Sequence, residues 1–338
     1  MVLDIWKKIK KGEIAPIYLL YGTEAFLINE TKQLLLKSIL TEEEKDFNFF
    51  AYDLEETPLE LAIEDAETFP FLGERKVIFL HNPSFLTSEK TKEKIDHNIA
   101  RFETYLKEPA PYTIMVISAP YEKLDERKKI TKELKRNAAI VEAKKLNEAE
   151  LKAWLKERAK RIGIEIEPDA LELMLTLTGT NMFMLTSELD KLALYATDEK
   201  RINVALVEKL VSKSLEQNIF TLIEKVVQRK LDEALRIYFD LLKQNEEPIK
   251  ILALLANQFR LIYQVKELSR KGYGQQQISV FLKTHPFRVK LAAGQAVKFT
   301  DEELATLMNL IAEADYQMKT GGMNKSLLIE MLLFKLNK

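Results

Sequence analysis

Gly22, Thr23 and Glu24 stand where a nucleotide-binding chain would carry its phosphate loop. The apolar run Ile17 to Tyr21 ends at Gly22, and a helical pattern begins near Ala25, which is the strand–turn–helix layout on which such loops are built. A working loop reads G-x-x-x-x-G-K-[ST]: backbone amides and a lysine surround the phosphates, and a hydroxyl holds Mg²⁺. The turn here has a single glycine, no lysine, and a carboxylate that repels phosphate. The acids that hold the metal and activate water should close a central apolar strand as Asp-Glu, yet the run Lys76 to His81 continues His81-Asn82-Pro83. With both halves missing, phosphoryl transfer lacks its parts, and the chain is expected not to hydrolyse ATP.

Other chemistry is equally thinly provided. The histidines, His81, His97 and His285, are scattered and form no H-x-x-x-H metal spacing. There is no cysteine, which excludes disulfides, thiolate zinc sites and cysteine catalysis and suits a reducing cytosol. The acidic run Glu42-Glu43-Glu44 reads as solvated surface. Trp6, Trp154 and the helical Met174, Met182, Phe183 and Met184 read as core positions rather than a cofactor site. No cofactor or metal is expected.

One short segment invites a partner. Thr68-Phe69-Pro70-Phe71-Leu72-Gly73 puts three large apolar side chains beside Pro and Gly in an expected turn. Exposed, each would gain about 1.5–3 kcal/mol from burial in a partner's pocket, and aromatic anchors often dominate interfaces. Turned inward, they would make a corner between helix and strand. The residues alone favour the inward corner.

The elements that must position these residues fall into three stretches. Over 1–142, strands are expected at Ile17–Tyr21, Asn48–Asp53, Lys76–His81, Thr113–Ser118 and Ala138–Glu142, with helices at 24–40, 58–68, 89–107 and 125–136. That alternation predicts a parallel five-stranded sheet with right-handed crossovers. Runs such as 77–80 (VIFL) and 113–117 (TIMVI) lack polar alternation, so helices should cover both faces. Around 143–150 the pattern becomes a linker, with Asn147 and Glu150 spaced as a capping box. Helices follow at 147–162, 168–178 (Pro168 at its start), 181–197 and 203–212, with no convincing strand. From 216 onward the reading is all helix: 218–229, 231–243, 248–271, 274–282, 285–296, 300–319 and 323–336. Ile249 to Val265 is apolar on nearly every side, as in a helix buried in a bundle or at an oligomer interface.

The totals agree with this division. A chain of 338 residues, 46% hydrophobic and 30% charged, is long enough for two or three domains with proper cores. Ten Gly and ten Pro are few, which suits helices joined by short loops. Neither a signal peptide nor a membrane span is expected. The net charge of −1 hides an asymmetry: residues 1–142 carry 21 Lys/Arg against 26 Asp/Glu, whereas 212–338 carry 19 against 14. A mildly basic last third could face an acidic partner or nucleic acid.

Six stretches in order, PIYLLYGTEAFLINE (16–30), FPFLGERKVIFLHN (69–82), ELDKLALYA (188–196), NIFTLIEKVVQ (218–228), EEPIKILALLANQFRLIYQVKEL (246–268) and HPFRVKLAAGQA (285–296), resemble the delta subunit of the bacterial DNA polymerase III clamp loader in its Gram-positive-like form. The resemblance spans nearly the whole chain. It implies an α/β plus all-α protein: a degenerate AAA+-like domain over 1–142, a small helical lid over 143–211 and a helical collar over 212–338. It implies a non-catalytic subunit of a DNA-directed DNA polymerase holoenzyme, working in the cytoplasm, that binds the sliding clamp and opens one of its interfaces while other subunits hydrolyse ATP. The implied clamp contact is Phe69, Pro70, Phe71 and Leu72, with Phe71 where the family's apolar pair often begins with Leu. Helix residues Leu59 to Glu67 would lie beside it, their acids Glu60, Glu64, Asp65 and Glu67 forming a solvated face. The implied partners are the clamp, the tau/gamma-type and delta-prime-type subunits through the collar, and primer–template DNA without sequence preference.

Two competing readings remain at this stage. Residues 272–296 resemble a helix-turn-helix, with Gln275–Leu282, a turn at Lys283-Thr284-His285, and a second helix from Pro286. The second helix offers Arg288 and Lys290 but otherwise Phe287, Val289, Leu291, Ala292 and Ala293, a poor set for base edges. The other reading is an active ATPase with an atypical phosphate loop. Arg127 and Arg136 are candidates for an arginine finger offered to a neighbour's ATP, although no Ser-Arg-Cys motif is present.

Overall fold

A computed structural model describes residues 2–88, 95–197, 199–321 and 323–336. The chain divides into two compact units, Met1–Lys145 and Leu146–Lys338.

The first unit runs α1 (Val2–Lys10), β1 (Ile17–Tyr21), α2 (Ala25–Ile39), α3 (Glu42–Asn48), β2 (Phe49–Asp53), α4 (Leu59–Glu67), β3 (Lys76–His81), a 3-10 turn at Ser84–Leu86, α5 (Ile99–Lys107), β4 (Thr113–Ala119), α6 (Lys129–Asn137) and β5 (Ala139–Glu142). All five strands pair in parallel in the order β2-β3-β4-β1-β5. The expected strands agree to within a residue at each end. Ile17, Leu19, Ile78, Leu80, Met115 and Ile117 point to one face, against Leu59, Ile63 and Ala66 of α4, Phe102 and Leu106 of α5, and Ile130 and Leu134 of α6. Their alternates Tyr18, Leu20, Val77, Phe79, Ile114 and Val116 are buried as well, with α1 and α2 lying over β5 and β3. Burial on both faces explains why the strands read as unbroken apolar runs. Trp6 of α1 fixes that layer by donating its indole N–H to Thr31 Oγ1 at 2.8 Å.

Three local readings need correction. Helices α1 and α3 were not expected, and the acidic run at 42–44 is the first turn of α3, capped by a reciprocal Thr41–Glu44 box. The helix expected over 89–107 is seen from Ile99, with Asn98 as its N-cap. Residues 89–94 of that expectation lie outside the described residues.

The second unit holds α7 (Glu148–Arg161), β6 (Glu165–Ile166), α8 (Pro168–Thr178), α9 (Met182–Tyr195), β7 (Arg201–Ile202), α10 (Val204–Leu210), α11 (Leu215–Val227), α12 (Leu231–Lys243), α13 (Pro248–Arg270), α14 (Gln275–Phe281), α15 (Pro286–Ala296), α16 (Asp301–Thr320) and α17 (Lys325–Leu336). Asn147 and Glu150 form the expected capping box, and Pro168 opens α8. The tiny parallel pair β6–β7 went unforeseen. Phe183, expected in the core, is 49% exposed, while Trp154, Met174 and Met182 are buried. Helix α13 is the axis of the bundle: Ile251, Leu252, Leu255, Phe259, Ile262 and Val265 are buried in one core with α11, α12, α15, α16 and α17. Among the described residues, no helix is long and apolar enough to cross a membrane.

Candidate functional site

The two segments singled out in the sequence lie at opposite ends of the sheet. Because the strands are all parallel, the turn after β1 sits at their carboxyl ends, where open α/β sheets take their ligands. The loop at 68–75 feeds β3 and sits at their amino ends.

At the carboxyl end, amides of the turn are bonded to the protein's own carbonyls. The Gly22 amide donates to Ala119 O at 3.2 Å and the Glu24 amide to Ala143 O at 3.0 Å. Gly22 has φ +127°, and a Cβ there would sit 2.2 Å from Ala143 O, so only glycine fits. Burial pushes the Glu24 carboxyl above its ordinary range, opposed by the Phe26 amide and Lys145. At the end of β3, Asn82 donates from Nδ2 to both carboxylate oxygens of Asp53 at 2.9 and 3.1 Å. Lys32 of α2 lies 3.2 Å from His81 Nδ1, and burial pulls its ammonium down to about 8. The basic groups and amides here are turned on the protein's own atoms.

At the amino end, the loop is pushed outward. Phe69 is 79% exposed, Phe71 81% and Leu72 41%, with Pro70 half-buried between them. The inward corner that the residues alone suggested is not what forms. The reason lies in what already occupies the corner: Lys76, the first residue of β3, is buried with its ammonium 2.8 Å from Asp65 O and 2.7 Å from Thr68 Oγ1, over the Phe50 ring. Asp65 also takes the Tyr52 hydroxyl at 3.0 Å, and this carboxylate adds to burial in pushing the phenol up to about 12. A satisfied polar cluster plugs the helix–strand junction and leaves the aromatic rings outside. There, Phe69 leans on Tyr112, whose hydroxyl donates to Glu67 O at 2.7 Å. Phe71 stacks on Phe47 of α3 with ring centroids 5.3 Å apart.

The acids of α4 are less free than a solvated face. Arg101 of α5 spans Glu64 at 3.0 Å and Glu67 at 3.2 Å, and Glu60 accepts the Asn98 amide at 3.0 Å. Phe47 and Asn48 are the residues that sequence reasoning missed. Their signal was the Thr41–Glu44 capping-box spacing, which announces a helix start inside the acidic run.

The second helix of the helix-turn-helix candidate packs into the bundle core, while Val280 and Phe281 of its first helix are exposed. Phe287, Val289, Ala292 and Ala296 of α15 are buried, and Lys290 faces Glu148 at 3.6 Å and Glu172 at 3.8 Å. Arg288 lines a small cavity with Asn181, Ser214 and Gln217. Arg127, one of the two finger candidates, forks onto Asp125 at 2.9 and 2.8 Å.

Fold and loop together define a parallel five-stranded α/β domain, followed by helices, with an exposed apolar loop at the sheet's amino end. Comparison with known proteins narrows the class. A family model described as "DNA polymerase III, delta subunit" matches residues 18–144, its C-terminal-domain counterpart matches 216–336, and one described as a middle domain matches 147–209. The chain is 51% identical to the DNA polymerase III subunit delta of Bacillus subtilis (strain 168), covering 100% of this chain and 97% of that one. It is 24% identical over 253 residues to a probable DNA polymerase III subunit delta of Aquifex aeolicus (strain VF5), covering 73% and 72%. The solved structure of a Bacillus subtilis DNA clamp loader delta protein superimposes with a TM-score of 0.80 at 51% identity, covering 100% of this chain and 99% of that one. The chain belongs to the family of DNA polymerase III delta subunits.

Proposed function

We propose that this chain binds the ring-shaped sliding clamp of the replication machinery through Phe69, Pro70, Phe71 and Leu72 and opens one interface of the ring. The observation that carries the reading is the exposure of Phe69 and Phe71 on a loop whose main chain is held in place. Two exposed rings are costly in water, and burial in a complementary pocket recovers about 1.5–3 kcal/mol for each. The aromatic pair would be the anchor, and the neighbouring Leu72 would widen the contact.

The chain itself is read as non-catalytic, the ATP being handled by other subunits of the holoenzyme. Supporting this are the occupied amides of Gly22 and Glu24 and the sequence His81-Asn82-Pro83 where metal-holding acids would stand. The division into a clamp-binding domain (1–142), a lid (143–211) and a collar (212–338) is part of the same proposal. In the collar, Leu327, Met331 and Phe334 form an exposed stripe on α17 opposite its buried Leu328, Ile329, Leu332 and Leu333. That stripe would meet the tau/gamma-type and delta-prime-type subunits in a cytoplasmic assembly. Sequence-independent contact with primer–template phosphates would then follow from the basic last third of the chain.

The test is co-migration with the cognate clamp on gel filtration. The wild-type chain should shift the clamp to a larger species, and Phe71→Ala/Leu72→Ala should not. A folded wild type that never co-migrates would remove the reading.

A further inference from the structure

The exposed loop is held by one buried side chain on a different element. Asn48, the last residue of α3, has no solvent exposure. Its Oδ1 accepts the Phe71 amide at 2.9 Å and the Leu72 amide at 3.4 Å, and its Nδ2 donates to Leu72 O. The carboxamide orientation is fixed by this set, since the flipped form would aim N–H at N–H and oxygen at oxygen. The loop's main chain is thus tied at its entry by the Thr68 amide on Asp65 O, at its middle by Asn48, and at its exit by the Lys76 amide on Tyr112 O. The middle tie joins residues 23 and 24 positions apart. Helix α3 grips the loop a second time through the Phe47–Phe71 stack. Glu44 of the same helix packs against Gly73, which has φ +70° and where a Cβ would lie 1.9 Å from Glu44 Oε1.

We propose that Asn48 is the positioning residue of the clamp contact: it holds Phe71 and Leu72 in the outward, binding-ready conformation and thereby sets the affinity for the clamp without touching it. The proposal rests on the clamp-binding reading above. Its physical basis is preorganisation. A loop that must be ordered at the moment of binding loses part of its interaction energy to that ordering, whereas a loop ordered beforehand does not. Asn suits the place because the main chain there presents two donors and one acceptor. An alanine offers none of these groups. An aspartate supplies the acceptor but, ionised, no donor for Leu72 O.

The experiment measures binding of the full chain to immobilised cognate clamp by surface plasmon resonance, together with amide hydrogen exchange of the free chain. Wild type, Asn48→Ala, Asn48→Asp and Phe71→Ala/Leu72→Ala are compared, with folding checked by circular dichroism. Asn48→Ala should bind at least ~10-fold more weakly, while the Phe71 and Leu72 amides lose protection and the β3 and β4 amides keep theirs. Asn48→Asp should be weak at about pH 8 and recover relative to wild type at about pH 5 or below, as its carboxyl gains a proton to donate to Leu72 O. A general loss of structure would produce neither the site-specific exchange nor the recovery. If Asn48→Ala does not fold, the pH dependence of Asn48→Asp decides the matter. The proposal is overturned if a folded Asn48→Ala binds within about twofold of wild type, or if exchange at Phe71 and Leu72 is unchanged. If wild type fails to bind the clamp, the functional reading falls on its own, and the claim that Asn48 sets affinity falls with it. The exchange data then decide separately whether Asn48 holds the loop.

Discussion

Gly22 and the Ala143 carbonyl are in such close approach that a single methyl group cannot be placed between them: a Cβ on Gly22 would lie 2.2 Å from Ala143 O. The strand–turn–helix that elsewhere cradles phosphate is closed here by the segment that leaves the sheet after β5. Gly22→Ala would combine this clash with backbone at φ +127°. The expected cost is at least about 3 kcal/mol, read as a lowered urea midpoint with an unchanged slope.

The same closure predicts indifference to nucleotide. A ligand present at a hundredfold its dissociation constant would add about 2.7 kcal/mol to stability. Millimolar Mg·ATP should therefore leave the thermal midpoint of the isolated chain where it was. A clear upward shift would revive the reading of an active site with an atypical loop.

Lys32 provides a pH test. Its ammonium titrates near 8 in the folded chain because burial disfavours the charge, against an ordinary value of 10.5. Below pH 8 the lysine is protonated in both states and the fold carries the full desolvation cost. Between about 8 and 10.5 the unfolded chain binds more protons, so this group's contribution to stability rises with pH. The cost is about 1–3 kcal/mol after allowance for partial water access. Lys32→Met should be more stable than wild type at pH 7, and the advantage should shrink toward pH 10. Equal pH profiles in denaturant titrations would contradict this.

Lys76 plugs the corner beneath the apolar loop, with its ammonium on Asp65 O and Thr68 Oγ1. Lys76→Met keeps the volume but leaves the partly buried Asp65 carboxylate, 3.7 Å away, without its cation. A loss of about 2–4 kcal/mol is expected, measured by urea denaturation. Restoring stability with Asp65→Asn in the same chain would show that the stranded carboxylate carries the cost.

The strands were legible because both faces of the sheet are covered. Runs such as VIFL (77–80) cannot be anything but buried, and their ends are marked by Gly22 and Pro83. Helix α3 offered only the Thr41–Glu44 capping-box spacing: its seven residues, EEEKDFN, bury only Asn48 and show no apolar stripe. The β6–β7 pair is two residues long on each side, too short for any alternation to register. For the site, composition located the loop at 68–73, but whether it pointed in or out turned on Lys76, whose burial no local pattern announces. Asn48 lies 23 residues before Phe71, and only the fold brings them together.

The central claim is that Phe71 and Leu72 deliver the chain to the clamp and that binding opens the ring. It is tested most directly by following a labelled clamp trapped on nicked circular DNA, from which an intact ring cannot escape. The wild-type chain, without ATP, should speed release of the clamp, and Phe71→Ala/Leu72→Ala should leave the spontaneous rate unchanged. A folded wild-type chain that does not accelerate release would contradict the account.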